Sequence, residues 1–218
     1  MQRLGVLGGS FNPVHIGHVR LALEMAEALS LDRVELIPAA RPPHKQGEGM
    51  LPFTLRAELL RLAVEGVDGL ALNLMEADRP GPSYTWDTLT ELSRQHPGAD
   101  LHFIMGALDL VNLHLWRRGP ELTTLANLAV STRERLGREE VGSYLAAHPE
   151  FGCEPDGSGV WRAPSGRRVT LVDVPRLDIS ASFIRERFRR GSNLRYLVPP
   201  GVEEHINRLR SEVLAVWS

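Results

Sequence analysis

The chain has 218 residues, 43% of them hydrophobic and 24% charged, with 25 lysines and arginines against 27 aspartates and glutamates. That balance suits one soluble globular domain with a large buried core, and a formal charge of −2 gives no global electrostatic case for nucleic acid or an anionic membrane. The one cysteine, Cys153, makes no intramolecular disulfide and is not by itself a metal site.

The first residues run straight into Leu4–Leu7, an apolar stretch too short for a signal-peptide core. It reads as a buried strand. A helix follows from about Ile16 to Leu29, with Leu21, Met25, Ala28 and Leu29 as its apolar stripe and Arg20, Glu24 and Glu27 on the wet face. Val34–Ile37 is a second strand, stopped by Pro38, and Leu55–Val64 is a helix for which Thr54 is a plausible cap. Strands are expected at Leu70–Met75, Leu101–Met105, Leu125–Val130 and Val169–Val174. Helices are expected at Thr85–Arg94, Ser182–Arg190 and Val202–Arg210. This alternation predicts an α/β, Rossmann-like, doubly wound and mostly parallel sheet. Residues 1–218 are expected to form a single domain, with a peripheral insertion around 134–168. Ala39–Pro52, with three prolines and two glycines, and Gly152–Gly166 both read as loops, the first long enough to be functional. No stretch approaches the ~18 apolar residues of a membrane span. The lone thiol fits a reducing compartment, so a cytoplasmic protein is expected.

In open parallel sheets, ligands bind beyond the carboxyl ends of the strands, and the first such place here is Gly8-Gly9-Ser10-Phe11-Asn12-Pro13-Val14-His15-Ile16-Gly17-His18. Gly8 and Gly9 let backbone approach a ligand, and Pro13 stiffens the turn. The following helix N-terminus suits a phosphate. His15 and His18, three residues apart, can share one helix face and stabilise charge that grows on an attacked phosphate. Neither the G-x-G-x-x-G fingerprint nor the Walker pattern is present, which disfavours a protein that merely uses NAD. Near the other end, Asp178-Ile179-Ser180-Ala181-Ser182-Phe183-Ile184-Arg185 opens a late helix. Ser180 and Ser182 are good cap residues. Arg185 in the first turn opposes the helix dipole and is better explained if it meets a phosphate. The plain alternative for this segment is a capped helix with a solvated run of charge.

The first stretch resembles the nucleotidyltransferase superfamily marked by His-x-Gly-His, and the second resembles its Ile-Ser-x-Ser/Thr-x-Ile-Arg. Class I aminoacyl-tRNA synthetases share the first signature, but their Lys-Met-Ser-Lys-Ser is absent here. The resemblance implies ATP binding at Gly8, Gly9, Ser10, Phe11, His15, His18, Gly106, Asp109, Ser180, Ser182 and Arg185, with His15, His18 and Arg185 catalytic. Three further stretches resemble bacterial nicotinate-nucleotide adenylyltransferase: Ile37–Lys45, Pro82-Ser83-Tyr84-Thr85, and Phe103-Ile104-Met105-Gly106-Ala107 with Trp116-Arg117. They imply an acceptor site of His44, Lys45, Thr85, Trp116 and Arg117. There Trp116 offers a face to a pyridine ring, and backbone N–H groups near Thr85 and Arg117 hold the nicotinate carboxylate. A carboxamide would present a donor where only an acceptor fits. His44 and Lys45 would face the acceptor phosphate; a loop histidine and a solvated lysine are equally open readings. In one respect the chain departs from the family pattern: the position of the family's aspartate is Leu108, and Asp109 follows it. Either Asp109 replaces that aspartate through a small shift or the contact is lost.

The expected reaction is transfer of AMP from ATP to nicotinate mononucleotide, with magnesium (Mg2+) carried by ATP rather than by a cage of acidic side chains. ATP and nicotinate mononucleotide are the expected partners, without nucleic acid or membrane, and a homo-oligomer is possible. Adenylyl transfer to nicotinamide mononucleotide or phosphopantetheine, or a non-catalytic nucleotide sensor of the same fold, are the alternatives.

Overall fold

The computed structural model describes residues 1–43, 49–132 and 136–217. In chain order the elements are β1 (Arg3–Gly9), α1 (Ile16–Ala28), β2 (Arg33–Pro38), α2 (Phe53–Val64), β3 (Leu70–Leu72), α3 (Thr85–Gln95), β4 (Asp100–Gly106) and α4 (Ala107–Leu110). They continue with β5 (Asn127–Ser131), α5 (Arg138–Ala147), β6 (Glu154–Pro155), β7 (Val160–Arg162), β8 (Arg168–Val172), α6 (Ala181–Arg189), α7 (Pro200–Arg208) and α8 (Arg210–Trp217). The strands form one sheet in the order β3-β2-β1-β4-β5-β8-β7-β6. β1, β4, β5 and β8 run parallel, while β7 is antiparallel to both β8 and β6. The order reverses at β1 and β4, so the segments leaving their carboxyl ends are the places to look for ligand contacts. The sheet is thus the expected α/β, mostly parallel one. Among the described residues no helix is long and apolar enough to cross a membrane.

The chain divides into two compact units. One holds Met1–Leu7, Glu24–Val34 and Tyr84–Arg176. Its strands are near-continuous apolar runs, the mark of strands covered on both faces: Leu101, Phe103, Ile104 and Met105 of β4 and Leu128, Ala129 and Val130 of β5 are all buried. Phe103 stands beside Leu128, and Gly106 beside Ser131. The other unit holds Gly8–Leu23, Glu35–Ser83 and Leu177–Ser218. There α2 packs on α7, with Leu59, Leu60, Val202 and Ile206 all buried. Phe188 of α6 meets Trp217 of α8 edge to face at 5.4 Å.

Several expected boundaries move, each for a physical reason. β3 ends at Leu72 rather than Met75 because Asn73 turns the chain. Its Oδ1 accepts the Met75 N–H at 2.9 Å while its Nδ2 donates to the buried Glu35 carboxylate at 2.6 Å. Thr54 is not the cap of α2; the helix starts two residues earlier, at Phe53 after Pro52, whose carbonyl accepts the Arg56 N–H. The buried stripe of α1 is Leu21, Ala22 and Met25, with Ala28 exposed. Gly152–Gly166 is not wholly loop: β6 and β7 form a hairpin there, Glu154 opposite Arg162 and Pro155 opposite Trp161. α5 and α8 were not foreseen. Glu140 reaches back to the Gly137 N–H at 2.8 Å to open α5, and Val141, Tyr144 and Leu145 bury its inner face.

Cys153, beside the hairpin, is partly buried, and that burial pushes its thiol up to about 11. Since the thiolate is the nucleophile, the folded protein at pH 8 should react slowly with a chromogenic disulfide reagent and rapidly once denatured. Equal rates in the two states would contradict this placement.

Candidate active site

In the unit holding the His-x-Gly-His turn, the structure brings the two sequence motifs onto one stretch of backbone. The turn leaves β1 through Gly8 and Gly9, and Phe11 adopts a left-handed conformation with φ 45°. A Cβ on Gly9 would sit 3.3 Å from the Phe11 ring, so glycine lets that ring fold back against the strand end. Phe11 is 1% exposed and meets the His18 ring edge-on at 5.0 Å. The His15 and His18 rings lie 3.7 Å apart, so they share a face as the spacing predicts. His15 is buried and His18 half-buried. The His15 backbone N–H donates to His18 Nδ1 at 3.2 Å, which makes Nδ1 the acceptor and puts the proton of the neutral ring on Nε2. The glycine between the histidines is steric: a Cβ on Gly17 would stand 3.0 Å from His15 Nδ1 and 3.1 Å from its Cε1.

The late motif arrives at the same turn. Ser180 caps α6, its Oγ accepting the Phe183 N–H at 3.1 Å. Arg185 donates to the carbonyl of Asn12 at 2.8 Å and to Ser182 Oγ at 3.0 Å. Partial burial, then the neighbouring charge of Arg189, lowers the Arg185 pKa. This is a half-buried cation bonded to the turn that leads into the two histidines, near the start of α6, a setting suited to phosphate.

In the other unit, Gly106 ends β4 and leads into α4. Asp109 Oδ2 lies 3.5 Å from where a Cβ on Gly106 would be, while Leu108 is 50% exposed. The carboxylate one residue late therefore still reaches the Gly106 turn. Thr85 opens α3, which has no side-chain cap; the Asp87 N–H already goes to the Tyr84 carbonyl at 3.1 Å, so the N–H groups of Thr85 and Trp86 are the ones a ligand there would use. Trp116 is half-buried, its ring 6.4 Å from that of Phe103 in an edge arrangement. Arg117 donates to Asp87 at 2.9 Å and lies over the Tyr84 ring at 4.7 Å. Arg118, with φ 55°, lies over Trp86 at 3.6 Å. The two arginines after Trp116 are thus stapled to the first turn of α3. His44 and Lys45 lie outside the described residues.

Sequence reasoning missed Asn12 and Arg56. The Asn12 side chain donates to the Gly49 carbonyl at 2.6 Å and accepts the Leu51 N–H at 3.0 Å. Arg56 reads as one more charge on an amphipathic helix, yet it is 1% exposed; the only signal was a charge where α2 has its apolar face. Two of the quoted stretches also meet: Arg41 and Ser83 exchange hydrogen bonds of 3.0 and 2.9 Å. Among the described residues there is no group of three or more His, Cys, Asp or Glu side chains that could hold a metal ion.

The cytidylyltransferase-like family matches residues 6–187, a span that includes both motifs. The chain belongs to this family. Among its curated relatives, a protein of Trichlorobacter lovleyi named as a probable nicotinate-nucleotide adenylyltransferase is 41% identical, covering 94% of this chain and 97% of the relative. One of the same name from Geobacter sulfurreducens is 38% identical over 95% of this chain and 97% of its own length. In fold, the chain is similar to the Plasmodium falciparum nicotinic acid mononucleotide adenylyltransferase complexed with NaAD. That match has a TM-score of 0.73 at 16% identity, covering 96% of this chain and 97% of that one.

Within this family member, Gly17→Ala should move the His15 ring without unfolding the helix, since alanine is the better helix former by about 1 kcal/mol. The expected result is a displaced set of His15 imidazole NMR signals with a melting temperature that is not lowered. Unmoved signals would show that the ring is not held by the missing Cβ.

Proposed function

We propose that this chain transfers AMP from ATP to nicotinate mononucleotide, giving nicotinate adenine dinucleotide and pyrophosphate in NAD biosynthesis. The observation that carries the reading is the convergence of His15, His18 and Arg185 on the Gly8–Asn12 turn. Its relatives of about 40% identity bear the name of that activity.

An oxygen of the acceptor's 5′-phosphate forms a bond to the α phosphorus of ATP. The bond from that phosphorus to the bridging oxygen of the β phosphate breaks, and pyrophosphate leaves. The attacking phosphate is already ionised, so no strong general base is required, and catalysis is positioning and charge stabilisation. The His18 Nε2–H is the natural donor to the α phosphate, with its orientation set by the His15 N–H on Nδ1. His15, packed against it, restricts that ring and adds a second imidazole. Arg185 and Ser182 hold the β and γ phosphates, Ser180 keeps the α6 N-terminus in place for them, and Gly8, Gly9 and Ser10 line the nucleotide, while the buried Phe11 shapes the turn from beneath rather than lining the ligand as the resemblance implied. Magnesium enters with ATP, on its phosphate oxygens, keeping most of its waters. Gly106 and Asp109 serve the adenosine ribose.

On the acceptor side, Trp116 stacks on the pyridine ring, and the N–H groups at the start of α3 and at Arg117 donate to the carboxylate. The staples from Arg117 to Asp87 and Tyr84 support this reading, because they hold those two pieces of backbone to each other. His44 and Lys45, outside the described residues, are assigned to the acceptor phosphate by the family resemblance alone.

The deciding experiment is pyrophosphate release from ATP and magnesium with nicotinate mononucleotide and its amide offered side by side. Faster turnover with the acid is expected. Preference for the amide would keep the reaction and overturn the roles of Thr85, Trp116 and Arg117. Silence with both, from folded protein, would remove the reading.

His18→Ala should lower turnover by roughly 100-fold, as loss of one charge-stabilising donor does. Unchanged turnover in folded protein would sink its role. Trp116→Ala should raise the KM for nicotinate mononucleotide more than that for ATP, and equal effects would count against stacking.

A further inference from the structure

Arg56 of α2 is among the most deeply buried side chains, 1% exposed, although a methionine or leucine would fill that place without the cost of desolvating a guanidinium. Among the described residues its hydrogen bonds go to backbone: Nε donates to the Leu51 carbonyl at 3.0 Å, and a terminal nitrogen donates to the Ser10 carbonyl at 2.7 Å. Glu76 offers long-range compensation only in part, for burial is the larger influence on Arg56 and lowers its pKa. The aromatic ring of Phe53 lies 5.6 Å from the guanidinium.

What this bracket holds is a strained piece of chain. Phe11, between Ser10 and Asn12, is left-handed at φ 45°, a conformation that bulky residues adopt only when their surroundings over-determine it. The carbonyls on either side of it are each held by an arginine, Ser10 by Arg56 and Asn12 by Arg185. Leu51 is gripped at both backbone groups, its carbonyl by Arg56 and its N–H by Asn12. The two arginines differ in kind. Arg185 is half-buried and belongs to the phosphate-binding motif, so its donors are to be shared with the triphosphate. Arg56 is 1% exposed and spends its donors on the Leu51 and Ser10 carbonyls.

Resting on the adenylyl-transfer reading above, we propose that Arg56 is a positioning residue for the donor nucleotide: its fork fixes the Ser10–Asn12 turn from the α2 side and leaves Arg185 available to the triphosphate. Arg56 touches neither substrate nor product; it acts through the turn.

The test compares Arg56→Lys and Arg56→Ala with the unaltered chain. Lysine keeps the charge but cannot hold two carbonyls in one planar fork. For Arg56→Lys, kcat/KM for ATP should fall roughly 10-fold, and for Arg56→Ala roughly 100-fold, the scale of one or two lost hydrogen bonds to a charged group. The KM for nicotinate mononucleotide should stay within about 3-fold of the original in both. Guanidinium chloride at sub-denaturing concentration should restore part of the ATP constant in Arg56→Ala, while methylammonium should not. If the constants for ATP and acceptor fall in equal proportion, or follow only the folded fraction, Arg56 is a fold residue and the proposal is overturned. Should Arg56→Ala not fold, the lysine variant decides by the same split. If the unaltered chain releases no pyrophosphate with either acceptor, the functional reading fails by itself. Calorimetric ATP binding then decides for Arg56: weaker binding by the folded lysine variant upholds its positioning role, and equal binding overturns it.

Discussion

Between the first strand and the first helix the chain reverses through a left-handed phenylalanine, and the geometry of the His-x-Gly-His turn depends on that residue. Phe11 carries a backbone cost of about 1–3 kcal/mol, offset by burial of its ring, worth about 1.5–3 kcal/mol when complete. The same ring lies 3.3 Å from where a Cβ at position 9 would stand and meets His18 at its edge. With Phe11 in place, the Ser10 and Asn12 carbonyls come within reach of Arg56 and Arg185. One local conformation therefore joins residues from α1, α2 and α6 that are far apart in the chain.

The start of α3 and the Trp116–Arg118 segment solve a different problem, that of keeping two pieces of backbone at a set spacing. An ion pair such as Arg117–Asp87, with side chains 50% and 32% exposed, contributes little by itself. Here it is one of several contacts made by consecutive residues. Arg117 also lies on Tyr84, and Arg118 lies on Trp86 while pairing with Glu121. Together they restrict the Trp116–Arg118 segment more than any one of them would. The segment is held from its other end as well: the Tyr144 hydroxyl of α5 accepts the His114 N–H at 3.1 Å, and the His114 and His148 rings meet at a tilt of 34° with their centres 4.5 Å apart.

Legibility from the sequence followed the strength of the local signal. The parallel strands β1, β4, β5 and β8 were visible because strands covered on both faces are written as short apolar runs, and the His-x-Gly-His and Ile-Ser-Ala-Ser stretches were visible because their residues are contiguous. What stayed hidden depends on partners distant in sequence. Arg56 looks like any helix-surface arginine until Ser10 and Leu51 are placed around it. Asn12 looks like a turn residue until Gly49 and Leu51 arrive. β3 was read too long because the reason for its end, the Asn73–Glu35 bond, lies on another strand. α5 was missed because its polar first turn and Gly142 dilute the periodicity of Val141, Tyr144 and Leu145. The displaced aspartate after Gly106 was seen as a departure, and its approach to the glycine needed coordinates.

The β6–β7 hairpin has a consequence that concerns neither substrate. A parallel sheet ending at β8 would present a row of open backbone donors and acceptors along a strand rich in β-branched and leucine residues, a template for pairing with another chain. The hairpin covers that row and replaces it with β6, two residues long and ending in a proline that has no N–H to offer. Asp156, paired with both Arg162 and Arg168, adds charge at the same margin. A segment that looks like an ornament on the enzyme is thus placed to act as a guard against self-association, keeping an otherwise adhesive border soluble while the chain is crowded among copies of itself.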